Sequence, residues 1–272
     1  EKNAGVTMHV MTEDFDAGDI LAQRSVPMFW NDTWREIDAR LTVATEDLLR
    51  EKMPSVLNGS YVVRQQDLAS MKYYRHRRPE DGEINWNQSV WSIYNLIRAL
   101  VHPHPGAFFY EGTNTVILDR KVGIHEVIAL KFGSAMQPLP SEKSVGVSLI
   151  PNVLVPPGAT NPEDAVTFSI SSTNTDSSVG SCGLFNIDFD RRESEIKLDI
   201  KETTNFIACQ KAAVELVLKF AFDELALQRV FLRLEKNDST RIKMASTIGL
   251  KRVPSEEESN GEEVWLMENK FT

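Results

Sequence analysis

The sequence predicts an α/β fold with a small β-barrel between two α/β parts. Three observations carry that prediction. Two β-rich runs followed by a capped amphipathic helix open the chain. Short β-rich runs crowd residues 107–131. From residue 166 onward strand and helix patterns alternate, as in a layered α/β domain.

In order, Gly5 to Thr12 alternate in polarity and read as a strand. Asp14-Phe15-Asp16-Ala17-Gly18-Asp19 is a polar turn, and Ile20–Pro27 a second strand. Thr33 with Glu36 three residues on forms a capping box. Ile37, Leu41, Ala44, Leu48 and Leu49 then fall at helical spacing, up to about Met53-Pro54. Residues 64–88 form a polar connecting loop. Ser89 caps a helix carrying Ile93, Leu96, Ile97 and Leu100, which the run His102-Pro103-His104-Pro105-Gly106 stops. Residues from Ala107 to Lys131 read as three strands, including Thr115–Leu118 and Glu126–Leu130, hence the barrel.

Residues 133–165 hold six of the twelve prolines and mark a domain boundary, although Val145–Ile150 reads as strand. Strands follow at Val166–Ser171, Gly180–Asp188 and Glu195–Ile200. A long helix carries Phe206, Cys209, Ala213, Leu216, Val217 and Phe220 on its apolar side. Arg229–Leu234 is a strand, Ser239 caps a helix ended by Gly249, and Glu263–Met267 is the last strand. The expected domains are 1–65, 66–135, a linker at 136–165, and 166–272.

With 272 residues, 42% apolar and 25% charged, two globular domains are the expectation. A net charge of -9 argues against a broad nucleic-acid or anionic-membrane surface, so no DNA and no membrane partner is expected. The one dense basic run, Arg75-His76-Arg77-Arg78, reads as a solvated loop, as does the acidic run Glu256-Glu257-Glu258. Cys182 and Cys209 have no metal-ligand spacing, so neither zinc nor a disulfide framework is expected, and a reducing cytoplasm fits. His102 and His104 read as loop residues. Taken locally, Asp16 and Asp19 are turn formers, His9 is a structural histidine on a strand, and Glu195 belongs to a solvated strand face. The start, Glu1-Lys2-Asn3-Ala4-Gly5, reads as the middle of a domain, and the chain as a fragment of something longer.

Larger patterns extend this reading. Ala4-Gly5-Val6-Thr7-Met8-His9 followed by Phe15-Asp16-Ala17-Gly18-Asp19-Ile20 resembles the late catalytic segment of 10-formyltetrahydrofolate-dependent formyltransferases. The run from Tyr74 to Trp86 is similar to that family's linker. Asn95, Arg98-Ala99 and Pro103-His104-Pro105-Gly106-Ala107-Phe108 resemble the start of its OB-like C-terminal domain. The resemblance covers about residues 1–132 and is strongest to amino-sugar-nucleotide formyltransferases, then to methionyl-tRNA formyltransferase. It implies 10-formyltetrahydrofolate as co-substrate, Asp16 as the catalytic carboxylate that positions a histidine, and His9, Gly18 and Asp19 in the substrate-side and folate-side loop. The family's Asn-x-His-x-Ser-Leu-Leu-Pro motif does not occur in these 272 residues.

Val179-Gly180-Ser181-Cys182-Gly183-Leu184-Phe185-Asn186-Ile187-Asp188 and Arg191 to Ile196, then Phe220 to Leu225, Leu227 to Val230, and Asn237 to Leu250, resemble GNAT acyltransferases over residues 166–272. That resemblance implies acetyl-CoA as co-substrate in a gap between two parallel strands. It places the pyrophosphate loop at Phe206, Ile207, Ala208, Cys209, Gln210 and Lys211, just after Asn205. Asn237 supports the CoA side, and Glu195 is the candidate base. The family's glycines are missing from that loop, and little chain is available for the helices that usually precede the central hairpin. Together the two resemblances imply a transferase acting on an amine, with a nucleotide-linked amino sugar as the small-molecule acceptor, and they allow a homodimer. Methionyl-tRNA formylation and a non-catalytic binding module are the other two readings.

Overall fold

The computed structural model describes all residues except 68, 70, 71, 73, 133–146, 153–164, 173–177, 201–205, 255–261 and 270–272. Most of the expected linker, Asn205 and the run Glu256-Glu257-Glu258 lie outside the described residues. The chain divides into two compact units, residues 1–84 with 96–121, and residues 85–95 with 122–272.

In the first unit β1 (Asn3–His9) pairs antiparallel with β2 (Ile20–Pro27), Asn3 opposite Pro27. The first strand ends at His9, short of the expected Thr12. Helix α1 (Trp34–Leu57) starts on the capping box that the sequence announces. The Thr33 N–H donates to Glu36 Oε2 at 2.8 Å, and the Thr33 hydroxyl donates to the same oxygen. Ala44 and Leu48, one turn apart, are the buried stripe of α1. Arg24 ties β2 to the helix by donating to Asp47 (3.0 Å) and Glu51 (2.9 Å). Pro54 does not stop the helix, which runs on to Leu57; near a terminus one lost backbone bond is tolerable.

Burial acts upward on the Glu36 carboxyl, but the hydrogen bonds from Thr33, with Lys121 nearby, outweigh it and hold the group at about 2. A lowered carboxyl stabilises the fold above its unfolded value, and that contribution disappears as pH falls through the folded value. Between pH 4.5 and 2 the cap should therefore lose about 0.5–1 kcal/mol, the low end for capping because the side chain is 41% exposed. Denaturant melts of Glu36→Gln over that range should show this slope abolished; an unchanged slope would place the acid sensitivity elsewhere.

β3 (Ala107–Glu111) and β4 (Asn114–Leu118) form a hairpin across Gly112, whose φ of 63° suits glycine. The third expected strand, Glu126–Leu130, is instead helical, within Ile124–Phe132. Ile124, Val127 and Ile128 are all buried and recur at helical spacing, so tertiary burial overrode the β-branched composition. Among the described residues β3 and β4 are a two-stranded sheet, and the anticipated barrel is not formed.

The chain passes from the second unit back into the first within α2 (Val90–Ala99), and α3 (Ile124–Phe132) belongs to the second. That unit is built on a seven-stranded sheet. In chain order its strands are β5 (Val147–Asn152), β6 (Ala165–Ser172), β7 (Ser178–Asp188), β8 (Glu193–Ile200), β9 (Arg229–Glu235), β10 (Lys251–Val253) and β11 (Glu262–Glu268). They lie in the order β10-β11-β9-β8-β7-β6-β5. Every neighbouring pair is antiparallel except β8 and β9, which are parallel and joined through α4 (Phe206–Lys219). This parallel pair within a mixed sheet meets the α/β expectation.

Helix α4 buries Ala212, Ala213, Val214, Leu216 and Val217, with Glu215 and Lys219 exposed. It continues as a π turn, Phe220–Glu224, closed by Leu225 N–H donating to the Phe220 carbonyl at 3.2 Å. Helix α5 (Ser239–Ile248) is capped by Asp238, whose carboxylate accepts from Arg241 N–H at 2.9 Å. The expected cap, Ser239, is the first helical residue; either type caps well, and the backbone selects Asp238. Gly249 ends the helix in the left-handed conformation, φ 99°. Strand β10 has only three residues, too short to show a period in sequence. Burial in β7 pushes the Cys182 thiol up to about 12, so it is protonated and inert at neutral pH.

The π turn presents Glu224 to the start of α2. Its carboxylate accepts from Val90 N–H (2.8 Å) and from Lys131 Nζ (2.7 and 2.8 Å), and Lys131 also donates to the Gln88 carbonyl (2.7 Å). A carboxylate at a helix N-terminus is favourable. Trp91 stacks on Phe189 at 5.3 Å and 10°, and Phe132 packs against Phe220. Lys131→Met leaves the Glu224 carboxylate half-buried without its cation. It should destabilise the second unit by about 2–3 kcal/mol, below the value for fully buried pairs. The double variant with Glu224→Gln should recover part of the loss; thermal melts that show no loss in the single variant would contradict this.

Candidate functional site

The four residues expected in the first unit's site converge on one loop. Val10 N–H donates to the Asp19 carbonyl at 3.0 Å, which carries the turn back toward β1. Gly18 lies against Val10 so closely that a Cβ would stand 1.7 Å from its carbonyl oxygen. Asp16 takes the left-handed conformation, φ 54°, which Asp tolerates better than most residues. Its side chain is 89% exposed, with Oδ1 3.6 Å from His9 Nε2. His9 Nδ1 donates to the Val10 carbonyl at 3.0 Å, which fixes the ring. Gln66, not anticipated from sequence, fastens the loop by donating from Nε2 to the carbonyls of Asp16 (2.8 Å) and Gly18 (2.5 Å). The basic run is partly engaged: Arg75 grips Asp81 with two nitrogens, at 2.8 and 2.5 Å. Those bonds, with one from Arg78 N–H, lower the Asp81 carboxyl to about 2.

In the second unit the distinctive feature is the seam between β8 and β9. Parallel pairing runs from Glu193 opposite Arg229 to Ile196 opposite Leu232 and goes no further. Each strand nevertheless stays paired with its outer neighbour: Ile200 with Gly180 of β7, and Glu235 with Glu262 of β11. The two halves of the sheet therefore splay apart. The opening is a cavity of about 590 Å³, lined among others by Lys197, Leu198, Arg233, Leu234 and Arg241. Unpaired strand edges need hydrogen-bond partners, so such a gap suits a ligand with amide groups.

A second cavity of about 300 Å³, reached by Asn186, Phe231 and Pro254, shares Glu195 and Arg233 with the first. Glu195 thus stands where the two meet, 15% exposed, with Oε1 3.3 Å from Arg233 Nε. Asn186 Nδ2 donates to its Oε2 at 3.4 Å. Asn186 has φ 52° at a bulge where the β7–β8 register shifts, and the bulge aims its side chain toward Glu195. The plain strand-face reading of Glu195 does not describe this half-buried, paired carboxylate.

The residues from Phe206 to Lys211 form the first turns of α4. Ile207 and Ala208 are exposed, Cys209 is half-buried, and Lys211 pairs with Glu215 at 3.8 Å. Gln210 is wholly buried and is linked to the gap's lining through Arg241. Asn237 is exposed in the turn before α5, where its carbonyl accepts from Ser239 N–H (3.0 Å). Asn186, Arg233 and Arg241 were missed from sequence. Only Arg233 had a signal there, the alternation of β9, which puts Phe231 and Arg233 on the same face as Glu195 of its parallel neighbour. Among the described residues, no cluster of three or more His, Cys, Asp or Glu is placed to hold a metal. Among them, too, no helix is long and apolar enough to cross a membrane.

Comparison with known proteins finds its likenesses mainly in the first part of the chain. Residues 1–53 match the family described as Formyl transferase, and residues 77–138 match Formyl transferase, C-terminal domain. The chain is 40% identical over 124 residues to the Bifunctional polymyxin resistance protein ArnA of Wigglesworthia glossinidia brevipalpis. That match spans 45% of this chain and 18% of that protein. Among solved structures, a spermidine N-acetyltransferase from Vibrio cholerae is similar over 39% of this chain and 65% of its own, at 15% identity and TM-score 0.34. Mutant forms of the spermidine/spermine N-acetyltransferase SpeG from Vibrio cholerae match 39% of this chain and 67% of theirs, at 14% identity and TM-score 0.35. The chain thus carries two segments that match formyl transferase models, in that family's order, followed by an α/β region that matches these acetyltransferases only at that low score.

Proposed function

We propose that the chain is part of an acyl-group transferase acting on amines, and that its sheet unit takes an acyl-CoA donor in the gap between β8 and β9. The carrying observation is that seam, where parallel pairing stops after four residue pairs and a cavity of about 590 Å³ opens. The residues present fit the donor: strand edges offer backbone donors and acceptors, and Lys197 and Arg241 offer charge to phosphates. When bound, acetyl-CoA would supply an activated thioester carbonyl.

The chain's own contribution is to handle the acceptor. An amine that is protonated in water must lose a proton before it can attack. Glu195, at the meeting point of the two cavities, is the group we assign to accept it, with Arg233 and Asn186 holding its two oxygens. The smaller cavity, walled by Phe231 and Pro254, is the acceptor side.

For the first unit we propose descent from an amino-sugar-nucleotide formyltransferase, with Asp16 as the catalytic carboxylate and His9, Gly18 and Asp19 in its loop. The Formyl transferase matches support that descent. The folate does not fit this chain alone: the Asp16 side chain is largely exposed, with His9 nearby, and the Asn-x-His motif is absent from the sequence, so no formyl-transfer step is assigned to it. The nucleotide-linked amino sugar is the proposed acceptor of both parts. Titration of acetyl-CoA into the chain by calorimetry should give saturable heat; a flat trace would leave a binding module as the better reading. Turnover with a charged initiator tRNA and none with amino-sugar nucleotides would favour the methionyl-tRNA reading.

A further inference from the structure

Gln210 is an unusual residue for its place. It is wholly buried on α4, followed in sequence by the buried run Ala212, Ala213 and Val214. A buried amide left without partners is costly, so its hydrogen bonds show what it is there to hold. With its oxygen turned to the donors, Gln210 accepts from Arg241 Nη2 (3.1 Å) and Nε (3.2 Å). Asp238 holds the same arginine twice, accepting its backbone N–H at 2.9 Å and standing 3.4 Å from Nε. Arg241 is 37% exposed and lines the β8–β9 gap, which it enters from the first turn of α5.

The guanidinium is thus fixed at its Nε edge by groups outside the gap. A planar fork held in this way is pre-organised for an oxyanion, and Lys197 and Arg233 add positive charge to the same cavity, against Glu195 and Glu262. Meanwhile residues 205–211 contain no glycine, so close approach of backbone amides to a phosphate is not favoured there.

The geometry points to Arg241 as the residue that holds a phosphate of a nucleotide-bearing acyl donor in the gap, with Gln210 as its positioning residue. This rests on the acyl-CoA reading above and deepens it: a side chain on α5 takes the anion-binding role that the start of α4 is poorly composed to fill.

The test compares binding of three donors to the full chain by calorimetry: acetyl-CoA, its 3′-dephospho form, and acetyl-pantetheine, which has no nucleotide phosphates. Arg241→Gln should weaken acetyl-CoA about tenfold, or about 1.4 kcal/mol, and leave acetyl-pantetheine within about twofold. A loss shared by the dephospho form assigns the contact to the pyrophosphate, and a loss confined to acetyl-CoA assigns it to the 3′-phosphate. Gln210→Met should lower the ratio of acetyl-CoA to acetyl-pantetheine affinity, and Gln210→Glu, which keeps an acceptor facing the guanidinium, should restore it. Equal weakening of all three donors, or none, would overturn the proposal while leaving the gap as a donor site. Failure of the unaltered chain to bind any donor would overturn both. Should Gln210→Met not fold, the partly exposed Arg241→Gln still decides.

Discussion

A protein cut back to residues 166–272, where sequence patterning places the second domain, will not fold. The sheet unit includes residues 85–95 and everything from 122 onward, so that cut removes a wall of its core. Val90, Ile93, Tyr94, Ile124, Val127 and Ile128 are each at most 2% exposed. At about 1.5–3 kcal/mol per large buried apolar side chain, their loss forfeits about 10 kcal/mol or more, an upper estimate because unfolded chains retain some burial. Domains are typically stable by about 5–15 kcal/mol. The cut also strips Glu224 of Lys131 and of the Val90 N–H. Circular dichroism and amide NMR of the fragment should show no cooperative melt and no dispersed spectrum; a sharp native-like transition would show that the formyl-transferase-like segments are dispensable to the sheet.

Glu195→Gln should lower the rate constant for acetyl transfer at least about a hundredfold, while the affinity for acetyl-CoA changes little. General-base catalysis contributes about 10²–10⁴-fold, and the amide keeps the size and hydrogen-bonding reach of the carboxylate while losing its basicity. The contrast between rate and affinity matters, because Glu195 also pairs with Arg233, which lines the β8–β9 gap. A merely structural pair would shift donor affinity or melting temperature and spare the rate. Stopped-time assays at saturating donor measure the first and calorimetry the second; a variant rate within about twofold of the parent would remove Glu195 from the chemistry.

The strongest local signals were read directly. The Thr33–Glu36 capping box, the bounds of the strand from Ile20 to Pro27, the apolar stripe of the long helix and the glycine stop at Gly249 all depend on residues within a turn or two of each other. The run Glu126–Leu130 failed because its β-branched residues suit either state, and only burial of Ile124, Val127 and Ile128 on one side selects the helix. Glu195 was singled out from sequence. Its partners were not, because Asn186 reaches it through a bulge and Arg233 through the register of a strand 38 residues further on. Gln210 was marked as part of a phosphate loop, whereas the fold gives it an indirect part, through Arg241.

By itself the sequence determined which segments are helix or strand wherever period and cap agree, and the likeness of the first part to formyl transferases. Tertiary structure decided where one unit ends and the other begins, that Ile124–Phe132 is a helix, and that β8 and β9 part after Ile196 and Leu232. The division has a physical cause. Caps, turns and periodicity act over a few residues, whereas burial, strand register and buried ion pairs join positions as distant as Val90 and Glu224, 134 residues apart, which no local pattern encodes.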